Sequence, residues 1–451
     1  MSCCSIEISF LCLLALQSAI GFRQNAVFDD RPWDEDYSLW KQGTDVFIRS
    51  YGLAFDWEYT MTEDDCTLAL HHLWNPRIKG PKIPVLFVHA LIADGDTWFV
   101  SKPSNSLAMV MAKNGYDVWA LNYRATSYSP IEKHQYVNTT IDDNALKDLP
   151  ASIDYVLQRT GYPSLNLVSM SKGGFVSLAL LSTRPEYNAK VRLHYTMVPV
   201  TAVTQPRGWI KYFLEFHRFM VGKLGDIYMS LFDSNTLYFD FLHFWEFPLF
   251  LQRLADTLPG LEQRIVNWLW DARFRRGHIN MDREIISKAV KRGFPTKWFG
   301  REMIQFSQNT FSGLYRRYSP SWLADPRSVY RSTLPDSRPF DLSRIKAPHI
   351  MLQANTEIFS TPADNERIRN ELCHTFISGP RASKYAFEVS VPNFQHVDPL
   401  VGRQNAEIYV NAIYMTFRDH DISLNKTFAK ILPRIEAEWK YLVPQPCVPI
   451  R

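Results

Sequence analysis

Short apolar runs rich in Val, Ile and Leu recur along the chain, separated by longer stretches with helical spacing. Residues 84–89 (PVLFVH), 117–121 (DVWAL), 165–170 (LNLVSM), 191–200, 349–354 (HIMLQA) and 386–391 read as strands. Continuous apolar runs of this length suit strands buried on both faces of a parallel sheet. Residues 145–161 and 172–184 read as helices between them. Strands alternating with helices predict an α/β fold, with a mostly parallel central sheet covered on both faces.

The alternation stops near Val203 and resumes near Ile345. The intervening stretch is dense in aromatics, among them Trp209, Tyr212, Phe213, Phe216 and Phe219, then Tyr238, Phe239, Phe241, Phe244 and Trp245. Its spacing is helical, punctuated by Pro206, Pro248 and Pro259. The pattern predicts a core built from residues 23–202 and 341–420. A helical cap over residues 203–340 is inserted after the 191–200 strand, which follows the 172–184 helix, and residues 421–451 form an extension. The aromatics either line a site beneath the cap or fill the cap's own interior. Within the extension, residues 426–441 read as an amphipathic helix, packed on the core or touching a membrane.

The apolar stretch from Ile8 to Ile20 precedes polar sequence that starts at Arg23. It is shorter than the roughly 20 residues of a spanning helix and fits a signal-peptide core, so residues 1–22 are expected to be a leader and no transmembrane segment is expected. Three of the six cysteines (Cys3, Cys4 and Cys12) lie in that leader. Cys66, Cys373 and Cys447 allow one bridge and one free thiol, and their spacing suggests no zinc site. Asn138 and Asn425 stand in Asn-x-Ser/Thr acceptors compatible with secretion.

Composition adds bounds rather than identity. The chain has 451 residues, 46% hydrophobic and 21% charged, which describes a folded globular protein. A formal charge of +4 with no Lys/Arg-dense stripe gives no reason to invoke nucleic acid.

Candidate chemistry centres on Ser171, placed between a strand and a helix in Ser169-Met-Ser-Lys-Gly173. The nucleophile-elbow pattern G-x-S-x-G uses small flanking residues to expose a serine on a sharp turn, and Ser169 and Gly173 hold its two small sites. The bland alternative is a serine that merely caps a helix. Acyl transfer also needs N–H groups aimed at the developing oxyanion. The candidates are the amides of Lys172, which follows the serine, and Leu91, in the His89-Ala-Leu91 segment after the first apolar run. His396 follows the last expected strand, where the base of a Ser–acid–His order belongs. Glu357, just past the 349–354 strand, is the favoured acid, and Asp364 is its rival.

These segments together resemble the acid lipase family, which includes gastric and lysosomal acid lipases. The resemblance runs from about Val46 to Phe417. Ile48-Arg-Ser-Tyr-Gly52 and Thr62-Glu-Asp-Asp-Cys-Thr-Leu68 resemble the family's opening strands, with their T-x-D-G-type turn. His89-Ala-Leu91 with Trp98 resembles its H-G-L…W segment. Asn114-Gly-Tyr-Asp-Val-Trp119 with Asn122-Tyr-Arg124 resembles G-Y-D-V-W…N-x-R. Asp148-Leu-Pro-Ala-Ser-Ile-Asp154 resembles the helix before the elbow, Pro199-Val200 follows the next strand, and Met303-Ile-Gln-Phe-Ser-Gln308 resembles M-x-H-x-x-Q.

The resemblance implies an α/β-hydrolase fold and cofactor-free, metal-free hydrolysis of fatty-acyl esters of neutral lipids, triacylglycerols or cholesteryl esters. It implies work at a lipid–water interface, by a secreted or lysosomal protein. It carries the nucleophile to Ser171, the acid to Glu357, the base to His396 and the oxyanion donors to Leu91 and Lys172. The chain departs from the family at Ser169 and Met170 in the elbow, at Ala90 for glycine, at Glu357 for aspartate, at Ala125 for glycine and in lacking cap cysteines. Two other functions stay open: a catalytically silent lipid-binding protein, and a carboxylesterase or acyltransferase.

Overall fold

Among the described residues, a nine-stranded sheet organises the protein, in the order β1-β2-β4-β3-β5-β6-β7-β8-β9. The computed structural model describes residues 33–91, 93–131, 139–204, 300–320, 337–357, 359–376, 386–424 and 441–445, with Phe28, Arg264, Asn280, Asp282 and Ile285. The strands are β1 (Ala54–Met61), β2 (Thr67–Trp74), β3 (Pro84–Val88), β4 (Asp117–Leu121), β5 (Leu165–Met170), β6 (Val191–Met197), β7 (His349–Gln353), β8 (Ala386–Val389) and β9 (Leu442–Pro444). From β4 through β8 every neighbouring pair is parallel. The antiparallel pairs lie at the margins, β1 on β2, β2 on β4 and β9 on β8.

Each central strand divides its side chains between two cores. Val85, Phe87, Val118, Ala120, Val168 and Met170 enter one cluster, with Phe47, Ile48, the helix Leu107–Lys113 and Phe417. Leu86, Val88, Trp119, Leu121, Leu165 and Leu167 enter the other, with Leu149, Ile153, Val156 and Phe175–Leu181. Period-two alternation puts successive residues on opposite faces, so an unbroken apolar run is what a sheet covered on both sides requires. The helices that matter below are α1 (Leu149–Thr160), α2 (Lys172–Thr183), α3 (Gly300–Ser312), α4 (Pro362–Glu371) and α5 (Asn411–Leu424).

All six expected strands are present; β4 and β5 have the expected bounds, and the other four end one to three residues early where the chain turns into loops. The helix expected from 145 starts earlier, with an α turn over Ile141–Asp143 capped by Thr140, passes through a π turn over Asn144–Asp148 and becomes α1 at Leu149, with Gly161 capping it in the left-handed conformation (φ 72°). One expectation is corrected. Ile48-Arg-Ser-Tyr-Gly52 is no strand: Thr44–Ser50 is helical and Tyr51-Gly52 form the turn that leads to β1. Phe47 and Ile48 are both fully buried there, one residue apart, as a helix buried against a sheet allows. The opening strands are β1 and β2, and Thr62–Cys66 is the turn between them.

β9 was not foreseen. Three residues of the extension pair with β8, and Ser390 N donates to Tyr441 O at 2.8 Å. A three-residue strand is too short to show periodicity in sequence. Cys373 is disulfide-bonded and Cys66 is a buried free thiol. The expected leader (residues 1–22), the 205–263 aromatics, Asn138, Asn425, residues 426–440 and Cys447 lie outside the described residues.

Candidate active site

Ser171 sits on the turn between β5 and α2 with φ 54° and ψ −114°, a conformation that costs a non-glycine residue about 1–3 kcal/mol. Its neighbours hold it there. Ser171 N donates to Met197 O at 3.0 Å, and Val200 N donates to Ser171 O at 3.3 Å. Gly173 is required for close approach: a Cβ there would fall 2.4 Å from Val88 O and 3.0 Å from His89 O. The first turn of α2 therefore packs against the end of β3, beside the Ala90-Leu91 segment.

The small site before the serine is filled by Ser169, which is fully buried. Its Oγ lies 3.0 Å from His194 Nε2 on β6 and accepts from Ser177 Oγ at 3.1 Å, one element from each side. Burial holds His194 in its neutral form, with its pKa pushed down to about 3. The departure from glycine is thus absorbed by a polar network behind the elbow.

Two loops bring a carboxylate and an imidazole to the serine. Glu357 lies in the loop after β7, and His396 lies in the turn after β8. The loops are laced together, since Thr356 N donates to Phe394 O at 3.1 Å and Asn355 Nδ2 donates to Val391 O at 2.6 Å. His396 Nε2 lies 2.8 Å from Ser171 Oγ, and His396 Nδ1 lies 2.9 Å from Glu357 Oε2. The other Glu357 oxygen accepts from Phe359 N at 2.9 Å. All three residues are buried, and the Phe359 ring packs 4.8 Å from the imidazole.

Asp364 is elsewhere. It forms a capping box with Thr361 at the start of α4 and also binds Thr204, so it does not compete for the histidine. A carboxylate that sequence reasoning missed does lie nearby. Asp398 is fully buried and accepts from Gln395 N. Burial, with the charge of Glu357, pushes its carboxyl up to about 7.

Leu91 follows the end of β3, where His89 Nδ1 lies 2.8 Å from Ala90 O. Ala90 does not adopt a positive φ, so its methyl group carries no left-handed strain. Ala125, which the resemblance would have as glycine, does take φ 66°. Burial and the Lys172 charge push His89 down to about 3, leaving its ring neutral. Lys172 is itself buried, and its ammonium pairs with Glu302 of α3 and lies 4.5 Å from the Tyr123 ring centroid.

This arrangement can pass a proton from a hydroxyl to an imidazole whose far nitrogen faces a carboxylate, the geometry of nucleophilic acyl transfer. Among the described residues, no group of three or more His, Cys, Asp or Glu side chains could hold a metal ion.

Residues 83–242 match the family model of the α/β-hydrolase fold, a span that takes in β3 to β6 and the turn at Ser171. The chain has the α/β-hydrolase fold. Among its relatives, mouse lipase member K is 24% identical over 383 residues, covering 82% of this chain and 89% of that protein. Human lipase member M is 23% identical over 379 residues, covering 81% and 83%. Rat gastric triacylglycerol lipase is 32% identical over 197 residues, covering 40% and 48%. The fold and these similarities to lipases make the chain a serine ester hydrolase. Among the described residues of the hydrolase, no helix is long and apolar enough to cross a membrane.

Proposed function

We propose that the protein is a lipase that hydrolyses fatty-acyl esters of neutral lipids through an acyl-enzyme. Ser171 attacks the ester carbonyl as His396 accepts its proton. Glu357 orients the imidazole and stabilises its protonated form. The amides of Leu91 and Lys172 receive the oxyanion. His396 then protonates the departing alcohol and activates the water that releases the fatty acid. The single observation that carries this reading is the imidazole spanning Ser171 and Glu357, at 2.8 and 2.9 Å.

The acyl class rests on the similarity to lipases, a gastric triacylglycerol lipase among them, and on the aromatic-dense 203–340 insertion, which we read as a cap. A cap that buries an acyl chain would gain about 0.8 kcal/mol per methylene, which favours long chains over short ones. A secreted or lysosomal setting, with substrate met at a lipid–water interface, belongs to the same proposal and is supported by the leader-like 1–22 segment.

The test is hydrolysis of p-nitrophenyl esters of short and long acyl chains by wild type and Ser171→Ala, with a fluorophosphonate probe alongside. The expected result is turnover that rises with chain length and disappears, with labelling, in the variant. Hydrolysis retained by Ser171→Ala would overturn the assignment of the nucleophile, and activity confined to short esters would overturn the lipase reading.

A further inference from the structure

Lys172 stands in an unfavourable place. It is the first residue of α2, at the positive end of the helix dipole, where a cation is disfavoured, and it is 2% exposed. A buried ammonium there persists only with a counter-charge. Glu302 supplies it from the first turn of α3, and Glu302 is fully buried. Burial pushes the Glu302 carboxyl above its ordinary range, while the Lys172 charge opposes that rise.

The pair is part of a polar face. Gln305 Oε1 accepts from Ile141 N at 3.0 Å, and its Nε2 donates to Asp142 Oδ1 at 2.8 Å. Asn309 Nδ2 donates to Thr201 O at 3.2 Å, in the loop after β6. Residues 302, 305 and 309 share one side of a helix, so α3 is pinned to the core at three points. One of those points is the residue whose amide follows the nucleophile.

We propose that Glu302 is a positioning residue for the reaction: through Lys172 it holds the first turn of α2 in the register that aims the Lys172 amide at the oxyanion. This rests on the reading of Ser171 as nucleophile. The backbone at Ser171 is strained, so the turn relaxes when its restraints are loosened, and the amide moves with it. An oxyanion donor acts on the transition state, so its displacement lowers kcat and leaves ground-state binding in place.

The experiment compares wild type, Glu302→Gln and Glu302→Ala on short and long p-nitrophenyl esters, with active sites counted by fluorophosphonate labelling so that misfolded protein does not enter kcat. Glu302→Gln keeps the shape and an acceptor oxygen for Lys172 but lacks the charge. The expected result is a loss in kcat per labelled site of about 10-fold for Glu302→Gln and up to about 100-fold for Glu302→Ala. KM should stay within about twofold of wild type, with the same loss at every chain length. Unchanged kcat per site in both variants, or a loss carried by KM and growing with chain length, would overturn the proposal. Failure of the underlying reading looks different: wild type itself would then neither label nor hydrolyse esters.

Discussion

Ser169 Oγ lies 3.0 Å from His194 Nε2, directly behind the turn that carries Ser171. Ser177 Oγ donates to the same oxygen, so a side chain at the small elbow site has become a hub between β5, β6 and α2. Ser169→Gly would leave buried polar groups of His194 and Ser177 without this partner, at a cost of about 1–3 kcal/mol. Thermal unfolding should come about 2–4 °C lower per kcal/mol lost in a domain of this size. A melting temperature at or above wild type would show that the network contributes nothing net.

Glu357→Gln tests the acid. The amide keeps the shape but cannot stabilise an imidazolium, and its NH2 group favours the wrong histidine tautomer. We expect kcat to fall by about 10³–10⁴-fold while the protein stays folded by circular dichroism. A loss below tenfold would move the role of acid away from Glu357.

Gly173→Ala tests the packing of the elbow against β3. The new methyl would sit 2.4 Å from the carbonyl oxygen of Val88, a backbone atom that cannot swing aside. Overpacking of this kind costs about 1–3 kcal/mol. The melting temperature and ester hydrolysis should fall together, since the displaced turn carries Ser171. An alanine variant with wild-type values of both would contradict the close approach.

Asp398 gives a pH prediction with a definite sign. Its folded-state pKa of about 7 exceeds the roughly 3.9 of an unfolded aspartate. Between about pH 4 and 7 the folded chain therefore holds a proton that the unfolded chain releases, and stability falls as pH rises through that window. Asp398→Asn mimics the protonated form and still accepts from Gln395 N. The melting temperature of the variant minus that of wild type should be larger at pH 8 than at pH 5. An equal difference at both values would show that the carboxyl does not titrate as described.

Strand runs, the Ser171 elbow and the loop positions of Glu357 and His396 were legible because each leaves a local trace. Buried strands are short and continuously apolar, a sharp strand-to-helix turn needs small residues at fixed offsets, and Glu357 and His396 follow strand ends. Ile48–Gly52 misled because a short buried helix end and a strand end look alike over five residues. Asp398 left no trace, since nothing near Gln395-His-Val-Asp398 tells whether the carboxylate meets water.

The sequence by itself determined the alternation of strands and helices, the order of Ser171, Glu357 and His396, and the position of each at an element boundary. These depend on contacts within a few residues, so composition and spacing encode them. Only the tertiary structure decided that Glu357 rather than Asp364 faces His396, that Ser169 is hydrogen-bonded rather than strained, and that Lys172 is buried against Glu302. Each of those depends on groups brought together from distant parts of the chain, 225 residues apart for Ser171 and His396 and 130 for Lys172 and Glu302. Burial decides charge state and partner choice there, because in a low-dielectric interior an ionised side chain holds its charge only against the partner that packing delivers.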